Sequence, residues 1–335
     1  MKAFEIRGNF GVDSLGLVER PVPSPGPGQV VLKMKAFSIN YRDLLVVDGV
    51  GRWKPLPGRV PLSDGVGIVA TTGSGVSRVK VGDRVAPIFY PKWMEGRVAA
   101  EKMPNALGGA TADGVLAEYT LFDEASVVHV PAHLSDEEAA TLPCAGLTAW
   151  SAVLRFVPIA PGDSVVVLGT GGVSIFALQF AMLLGARVIV TSSRDQKLER
   201  AKELGSAAVI NYKTMPNWPK AVVELTGGIG ADYVVDTVGD LKQSIAAVRL
   251  AGTVAFVGLL TGMTAEVDLV TFMGKSARVE AVDVGSREMF EAMNKAITFH
   301  AMHPVVDRVF AFTELREALA YLREARHFGK VCLRA

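Results

Sequence analysis

The spacing of hydrophobic and polar positions changes in character near residue 135. Before that point, short apolar-rich runs are separated by glycine and proline, a pattern typical of strands and turns. The predicted strands cover residues 2–8, 29–37, 65–71, 84–89 and 115–121. We therefore expect the first part of the chain to form an irregular β-rich domain.

The segment Ser135-Asp-Glu-Glu138 predicts the start of a helix. A serine followed three residues later by a glutamate can form a capping box, because each side chain accepts the backbone N–H of the other residue. The apolar pattern after it predicts that the helix runs toward Trp150.

From residue 164 onward, predicted strands and helices alternate. Residues 164–168 form an uninterrupted apolar run, as expected for a strand buried on both faces. Further strands are predicted at 187–191, 208–210, 232–235 and 254–257, and helices at 173–184, 195–204 and 241–250. This alternation predicts an α/β fold with a parallel, doubly wound sheet. Helices at 287–299 and 314–326 and a strand at 330–333 follow it.

The turn after the strand 164–168 carries the clearest chemical motif. Gly169, Gly171, Gly172, Val173 and Ser174 belong to a segment that is nearly Gly-x-Gly-x-x-Gly between a strand and a helix. The first glycine permits a tight turn, and the second lets a pyrophosphate approach the backbone at the helix N-terminus. Serine at the third position is small enough for close helix packing. The turn therefore predicts dinucleotide binding, with a purely structural turn as the alternative.

The end of the second strand indicates which dinucleotide is bound. NAD sites place an acidic residue there to hold the ribose 2′-hydroxyl. This chain has Ser192 at that position, with Arg194 and Lys197 within reach of a 2′-phosphate. Asp195 comes later in the turn and is expected to cap the next helix. We predict NADP, with the alternative that the two basic residues are only a solvated helix start.

Composition excludes several classes of partner and location. The 335 residues suit about two domains, and the net charge of +1 comes without a basic stripe that would favour nucleic acid. No apolar run reaches the roughly 18–20 residues that span a membrane, and the N-terminus lacks the apolar core of a signal peptide. Two distant cysteines, Cys144 and Cys332, offer no disulfide framework, which fits a reducing cytoplasm.

Several segments in a fixed order resemble one known superfamily. They are Asn40-Tyr-Arg-Asp43, Pro61-Leu-Ser-Asp-Gly-Val-Gly67, Val81-Gly-Asp-Arg-Val85, Leu142-Pro-Cys-Ala-Gly-Leu-Thr148, the glycine turn, Val209-Ile-Asn-Tyr212 and Gly329-Lys330. The chain resembles the medium-chain dehydrogenase/reductase superfamily, and within it the zinc-free quinone oxidoreductase and alcohol dehydrogenase-like branch. The resemblance implies a GroES-like catalytic domain of residues 1–144 and 284–335 around a Rossmann domain of residues 145–283. It also implies a cleft between them, where the nicotinamide meets the substrate.

The resemblance also implies roles for individual residues in binding the cofactor. These residues are Thr148, Gly258, Leu259 and Leu260 beside the nicotinamide, Lys197 and Tyr212 at the 2′-phosphate, and Asn40 near the nicotinamide ribose and the substrate.

Zinc relatives bind their catalytic metal through a cysteine, a histidine and a second cysteine. Here the first position falls in the cysteine-free segment 40–43, and Ser63-Asp-Gly65 replaces Gly-His-Glu. Cys144 alone remains at the third position, and residues 90–114 lack the cysteines of the structural zinc lobe. Since catalytic zinc needs three protein ligands, we expect no zinc in this chain.

Two histidine pairs could in principle offer another metal site. They are His129 with His133 and His300 with His303. No acidic or sulfur ligand lies near either pair in sequence, so we expect surface or packing roles for both.

Without zinc, a conjugated acceptor such as a quinone or an enone needs less activation than a simple alcohol. The enzyme must position the acceptor and supply a proton or stabilise an oxyanion. Asn40 and Tyr41 are the candidate catalytic residues, with Tyr41 as the proton donor. Alternatively, Tyr41 is only part of the wall, and Arg42 and Asp43 only pair with neighbours. Residues 90–114 form either a lid over the substrate or a plain surface loop.

The leading hypothesis is therefore an NADPH-dependent reductase of quinones or enones. A zinc-free alcohol or aldehyde dehydrogenase and a nucleotide-binding protein without turnover are the alternatives. The stretch 267–283 could give an exposed edge strand for pairing two sheets, so we expect a homodimer.

Overall fold

The structure is a computed structural model that describes residues 1–335. The chain divides into two compact units, the first formed by residues 1–147 with 285–335 and the second by residues 148–284. None of the helices is both long enough and apolar enough to cross a membrane.

Fifteen strands and ten α-helices are distributed over the two units. The strands are β1 (Lys2–Ile6), β2 (Leu15–Glu19), β3 (Gln29–Ile39), β4 (Asp64–Thr72), β5 (Arg84–Pro87), β6 (Tyr119–Asp123), β7 (Val127–His129), β8 (Ser164–Leu168), β9 (Arg187–Ser192), β10 (Ala208–Asn211), β11 (Ala231–Asp236), β12 (Val248–Phe256), β13 (Arg278–Ala281), β14 (Val306–Ala311) and β15 (Lys330–Arg334). The helices are α1 (Tyr41–Val47), α2 (Asp136–Ala140), α3 (Leu147–Leu154), α4 (Gly172–Leu183), α5 (Asp195–Glu203), α6 (Trp218–Leu225), α7 (Leu241–Ala247), α8 (Leu269–Gly274), α9 (Arg287–Phe299) and α10 (Leu315–Arg323).

The first unit is built around a seven-stranded sheet. Its order is β14-β15-β3-β4-β5-β7, and β6 also pairs with β3. All of these pairs are antiparallel except β14 with β15. The C-terminal strand β15 lies beside β3 with Val331 opposite Ile39, so the last strand of the chain completes a sheet that begins in its first forty residues. Apolar side chains from β3, β4 and α10 form its buried core.

The second unit is a six-stranded parallel sheet of order β10-β9-β8-β11-β12-β13. The chain moves outward from β8 to β10 and then returns to the other side of β8 with β11. Four of the five β8 residues are buried, which explains their uninterrupted apolar pattern. The predicted α/β fold with a doubly wound sheet and a β-rich part is confirmed. In such sheets, ligands bind outside the carboxyl ends of the strands, where the order reverses.

The predicted elements differ from the observed ones where tertiary contacts override the local pattern. The helix predicted toward Trp150 is interrupted, because a π-helical segment occupies Leu142–Gly146 between α2 and α3. The helix predicted at 241–250 ends at Ala247, because β12 begins at Val248 and pairs with β11. Helix α6 was not predicted, although Pro219 in its first turn is a known start signal.

Three further expectations need correction. The strand predicted at 115–121 begins only at Tyr119. The stretch predicted as an edge strand, 267–283, contains helix α8 and only the short strand β13, which does lie at the sheet edge. Asp195 does not cap α5, because Arg194 holds the N-cap position and the Asp195 carboxylate accepts a hydrogen bond from the Asn211 side chain at 2.6 Å.

Candidate functional site

The glycine turn joins the carboxyl end of β8 to helix α4. Gly169 has a φ of +75°, a conformation that side-chain-bearing residues rarely adopt, and its N–H donates to the Thr191 carbonyl at 2.9 Å. Gly171 is the N-cap residue of α4, and Gly172 and Val173 are its first two residues. The first N–H groups of a helix have no partner within it, so this turn presents donors suited to a phosphate.

A hydroxyl pair connects this turn to the turn after β11. The Ser174 and Thr237 hydroxyls both donate to the Leu168 carbonyl, at 2.8 Å and 2.6 Å, and their oxygens lie 3.0 Å apart. The contact lies between β8 and β11, where the strand order reverses. Sequence reasoning missed Thr237, although its place directly after a predicted strand was a usable signal.

The residues predicted to select the cofactor lie along the ends of β9 and β10. Ser192 is the last residue of β9 and is buried, and its carbonyl accepts the Tyr212 N–H at 3.1 Å. The Tyr212 side chain is exposed. Arg194 is exposed and Lys197 is half-buried one turn later, with its N–H bonded to the Arg194 carbonyl at 3.1 Å. The structure thus brings all four residues to one corner of the sheet, with a hydroxyl rather than a carboxylate at the end of β9.

The segment Gly258, Leu259 and Leu260 follows β12 at the same edge of the sheet. The N–H of Gly258 donates to the Asp236 carbonyl at 3.0 Å, and a Cβ at Gly258 would lie 1.7 Å from the Thr237 carbonyl oxygen. Only glycine fits this close approach. Leu259 is half-buried and Leu260 is exposed. Thr148 is buried in α3, and no hydrogen bond joins it to this segment.

A buried carboxyl that sequence reasoning missed organises the turn after β11. Asp236 is fully buried and accepts hydrogen bonds from the N–H groups of Val238 and Gly239 and from the Ser244 hydroxyl. Burial raises the pKa of Asp236, and these hydrogen bonds oppose the shift. The carboxyl therefore holds the loop that precedes α7.

The two candidate catalytic residues of the first unit lie side by side but differ in exposure. Asn40 is the buried N-cap residue of α1, and the exposed Tyr41 is its first residue. Arg42 does pair with its neighbours: its guanidinium donates to the Leu107 carbonyl at 2.6 Å and lies over the Phe89 ring. It thereby holds part of the segment 90–114 against α1.

The lid interpretation does not hold for the first part of the segment 90–114. Trp93 is fully buried, and its carbonyl accepts the Arg287 N–H at 2.9 Å. The neighbouring Met94 carbonyl accepts the Glu288 N–H at 2.9 Å. These contacts within the first unit fix the segment to the start of α9.

The three positions that bind catalytic zinc in relatives do not offer a zinc ligand set here. The Asn40 side-chain oxygen accepts a hydrogen bond from the Lys330 ammonium at 2.6 Å, and the Ser63 hydroxyl donates to Asp64 at 2.7 Å. Burial raises the pKa of the Cys144 thiol well above its usual value, and Cys144 is the only sulfur or imidazole ligand at these three positions, whereas catalytic zinc needs three protein ligands. No group of three suitable side chains forms elsewhere in the chain. The residues therefore do not fit the metal.

The histidines have acidic partners that their sequence neighbourhood did not reveal. His303 lies 2.8 Å from the Glu138 carboxylate and edge-to-face with His133. His129 lies 3.0 Å from Asp83. Neither arrangement gathers three ligands for a metal.

Comparison with known proteins is consistent with this architecture. Residues 26–132 match the alcohol dehydrogenase GroES-like domain, and residues 172–298 match the zinc-binding dehydrogenase family. A zinc-type alcohol dehydrogenase-like protein of Schizosaccharomyces pombe is 40% identical, over 97% of this chain and 96% of that protein. The chain belongs to the medium-chain dehydrogenase/reductase superfamily. It is an oxidoreductase of that superfamily.

Known structures of medium-chain dehydrogenases/reductases superpose over the full chain. A putative alcohol dehydrogenase from Sinorhizobium meliloti has 39% identity and a TM-score of 0.91, covering 100% of this chain and 99% of that one. An NAD-dependent alcohol dehydrogenase has 34% identity and a TM-score of 0.90, covering 100% of both chains.

Two more distant members have names that state a cofactor or a reaction. A mycobacterial protein complexed with NADPH has 27% identity and a TM-score of 0.82, covering 100% of both chains. A 2-haloacrylate reductase of a Burkholderia species is 28% identical over 96% of both chains.

Proposed function

We propose that this protein transfers hydride from NADPH to a conjugated carbonyl acceptor, a quinone or an enone, without zinc. The observation that carries the proposal is the corner formed by Ser192, Arg194, Lys197 and Tyr212, next to the glycine turn. This corner offers a hydroxyl, two cations and a phenol, and no carboxylate stands at the end of β9.

The choice of NADPH over NADH follows from the charge of the 2′-phosphate. An acidic residue at the end of β9 would bond the 2′-hydroxyl of NADH and repel a phosphate, whereas Ser192 can donate to either. Similarity to a protein complexed with NADPH supports this choice. Similarity to an NAD-dependent alcohol dehydrogenase supports the competing choice, so both cofactors must be tested.

The choice of acceptor follows from the donor set at the zinc positions. Asn40, Ser63 and Cys144 supply one sulfur ligand instead of the three protein ligands that hold the Lewis acid of zinc alcohol dehydrogenases. A conjugated acceptor accepts hydride with less activation. Similarity to a 2-haloacrylate reductase supports this class, because 2-haloacrylate is itself a conjugated carbonyl compound. Similarity to alcohol dehydrogenases keeps a zinc-free alcohol or aldehyde oxidoreductase as the second candidate.

We assign the chain's residues the following tasks. NADPH, when bound, supplies the hydride. The N–H groups of Gly171, Gly172 and Val173 would bind its pyrophosphate, and Gly258 would lie beside its nicotinamide. Asn40 positions the acceptor. The exposed Tyr41 hydroxyl donates the proton that the reduced acceptor needs.

The test is a panel of acceptors assayed by the loss of NADPH absorbance. Purified protein is mixed with NADPH or NADH and with 1,4-benzoquinone, trans-2-hexenal or hexanal, and the reverse reaction is tried with hexanol and NADP⁺. We expect turnover with the quinone or the enal and slow or no turnover with hexanal. Turnover only with hexanal and hexanol would favour the alcohol dehydrogenase candidate. NADPH binding without turnover on any member would identify a nucleotide-binding protein.

A further inference from the structure

The corner formed by Ser192, Arg194, Lys197 and Tyr212 also contains a carboxylate. Asp195 is the first residue of α5, directly after Arg194, and its side chain is exposed. NAD sites use an acid at the end of the second strand to accept the ribose 2′-hydroxyl, and such an acid repels a 2′-phosphate. Asp195 stands only three residues after Ser192, so an unrestrained carboxylate there would oppose the binding of NADPH.

The Asn211 side chain restrains this carboxylate. Its amide nitrogen donates to Asp195 Oδ1 at 2.6 Å, and its amide oxygen accepts the Lys213 N–H at 3.0 Å. A backbone N–H can only donate, so it must meet the amide oxygen, and this leaves the amide nitrogen for the carboxylate. The two bonds therefore fix the orientation of the Asn211 amide and, through it, the position of the Asp195 carboxylate.

The backbone around Asn211 holds the amide in place. Asn211 is the last residue of β10, is half-buried and lies opposite Ser192 in the parallel pairing of β10 with β9. Its carbonyl oxygen accepts the Met215 N–H at 2.8 Å and the Thr214 hydroxyl at 3.1 Å, which closes the turn after the strand. The Asp195 carboxylate is thus bonded to a fixed residue of β10 and not to the Ser192 hydroxyl.

We propose that Asn211 determines the cofactor preference of the corner by holding the Asp195 carboxylate on β10. This inference rests on the proposed function, because it explains how NADPH is accepted by a corner that contains an acid. Asn211 acts through Asp195 and is therefore a positioning residue. Once released from Asn211, the carboxylate repels the 2′-phosphate of NADPH and accepts a hydrogen bond from the 2′-hydroxyl of NADH.

The test is a fluorescence titration of the purified protein with NADPH and with NADH. Asn211→Ala should lower the ratio of NADPH affinity to NADH affinity by roughly three- to tenfold, because it releases a negative charge near the 2′-phosphate. Adding Asp195→Asn should restore the ratio, so that Asn211→Ala changes it less than about twofold in that background. Glu203→Gln is the matched control, since it removes an exposed negative charge from the other end of α5 and should not restore the ratio.

Two further measurements distinguish this role from a purely structural one. The loss caused by Asn211→Ala, relative to wild type at the same salt concentration, should fall by about half or more between about 0.05 M and about 0.5 M salt, because salt screens exposed charges. Combining Asp195→Asn with Asn211→Asp exchanges the two side chains and rebuilds their bond with the carboxylate on β10. This exchange should bring the affinity ratio to within about threefold of wild type.

Each outcome supports or overturns the role of Asn211. An unchanged ratio in Asn211→Ala, an equal loss with and without Asp195→Asn, a ratio restored by Glu203→Gln, or a ratio that stays low after the exchange overturns it. A wild-type protein that prefers NADH contradicts the NADPH choice in the proposed function, while the dependence of the Asn211→Ala effect on Asp195 still decides the role of Asn211. A wild-type protein that binds neither cofactor overturns both.

Discussion

The backbone N–H of Tyr212 donates to the carbonyl oxygen of Ser192 at 3.1 Å, which joins the end of β10 to the end of β9. This bond places a phenol beside the residue that stands where NAD sites carry an acid. Lys197 and Arg194 begin the helix that follows. The corner is therefore the most direct place to test the identity of the cofactor.

Lys197→Ala should weaken NADPH binding about ten- to a hundredfold, because each charge-assisted contact to a phosphate contributes roughly 1.5–3 kcal/mol. NADH lacks that phosphate, so its affinity should hardly change. Ser192→Asp should reverse the preference toward NADH. Fluorescence titration with both cofactors measures these effects, and Lys202→Ala at the far end of α5, where Lys202 pairs with Glu199, is the control. If Lys197→Ala weakened the binding of NADPH and NADH equally, Arg194 and Lys197 would be only the solvent-exposed start of a helix.

Gly171→Leu should abolish NADPH binding and leave the fold intact, because a side chain at the N-cap of α4 would occupy the path of the pyrophosphate. Isothermal titration measures the affinity, and circular dichroism reports the fold. Gly274→Ala serves as a control, since a Cβ at that position meets no atom within 4 Å. Unchanged affinity in Gly171→Leu would mean that the glycine turn is structural only.

Protein purified from cells grown in zinc-rich medium should retain less than about a tenth of a zinc ion per chain after dialysis. The reason is that Asn40, Ser63 and Cys144 supply only one of the three protein ligands that a catalytic zinc ion needs. Elemental analysis tests the content, and treatment with a chelator should leave activity and melting temperature unchanged. Retention of about one zinc per chain would contradict this expectation.

The pH dependence of stability should carry a contribution from Asp43. Burial raises the pKa of its carboxyl from 3.8 to about 6, with Asp64 adding to the shift and with Arg42 and Lys330 opposing it. Between these two values the unfolded chain has released the proton and the folded chain has not. Stability due to this group therefore falls as pH rises from about 4 to about 6, by at most about 3 kcal/mol, and is constant above.

Asp43→Asn removes that titration and keeps an oxygen to accept the Asn40 N–H. The melting temperature of the variant, relative to wild type, should therefore increase between pH 4 and pH 6.5 and level off above that range. A difference that is independent of pH would show that Asp43 is ionised throughout in the folded protein.

We propose that a second copy of the chain covers the sheet edge at β13. The neighbouring helix α8 exposes Leu269, Val270 and Met273, and such an apolar surface is typical of an interface. Val270→Glu with Met273→Lys should change a dimer into a monomer in light scattering. Phe299→Glu, an equally exposed site in the first unit, should not. A wild-type monomer at micromolar concentration would contradict the proposal.

The sequence alone was sufficient for elements whose residues are neighbours along the chain. The buried strand β8, the capping box at Ser135 and the glycine turn each have a local pattern that one physical rule explains. The parallel, doubly wound character of the second sheet also followed from the alternation of strands and helices, since a parallel sheet needs a crossover after each strand.

Local pattern was insufficient where long-range pairing changed an element. The helix predicted at 241–250 yields to β12 at Val248 because the strand gains hydrogen bonds with β11 that an isolated segment cannot make. Similarly, the acidic partner of His303 is Glu138, which lies far away in the chain. The residues near His303 in the sequence did not indicate this contact.

By itself, the sequence determined the α/β class, the position of the glycine turn and the absence of an acid at Ser192, because each depends on residues within a few positions of one another. Only the tertiary structure decided which partner binds Asn40, at the first of the positions that hold zinc in relatives. Lys330 and Asn40 are 290 residues apart and meet because β15 pairs with β3, a contact that no periodicity or spacing encodes. Burial then determines their chemistry, since a charge shielded from water must find its partner inside the fold.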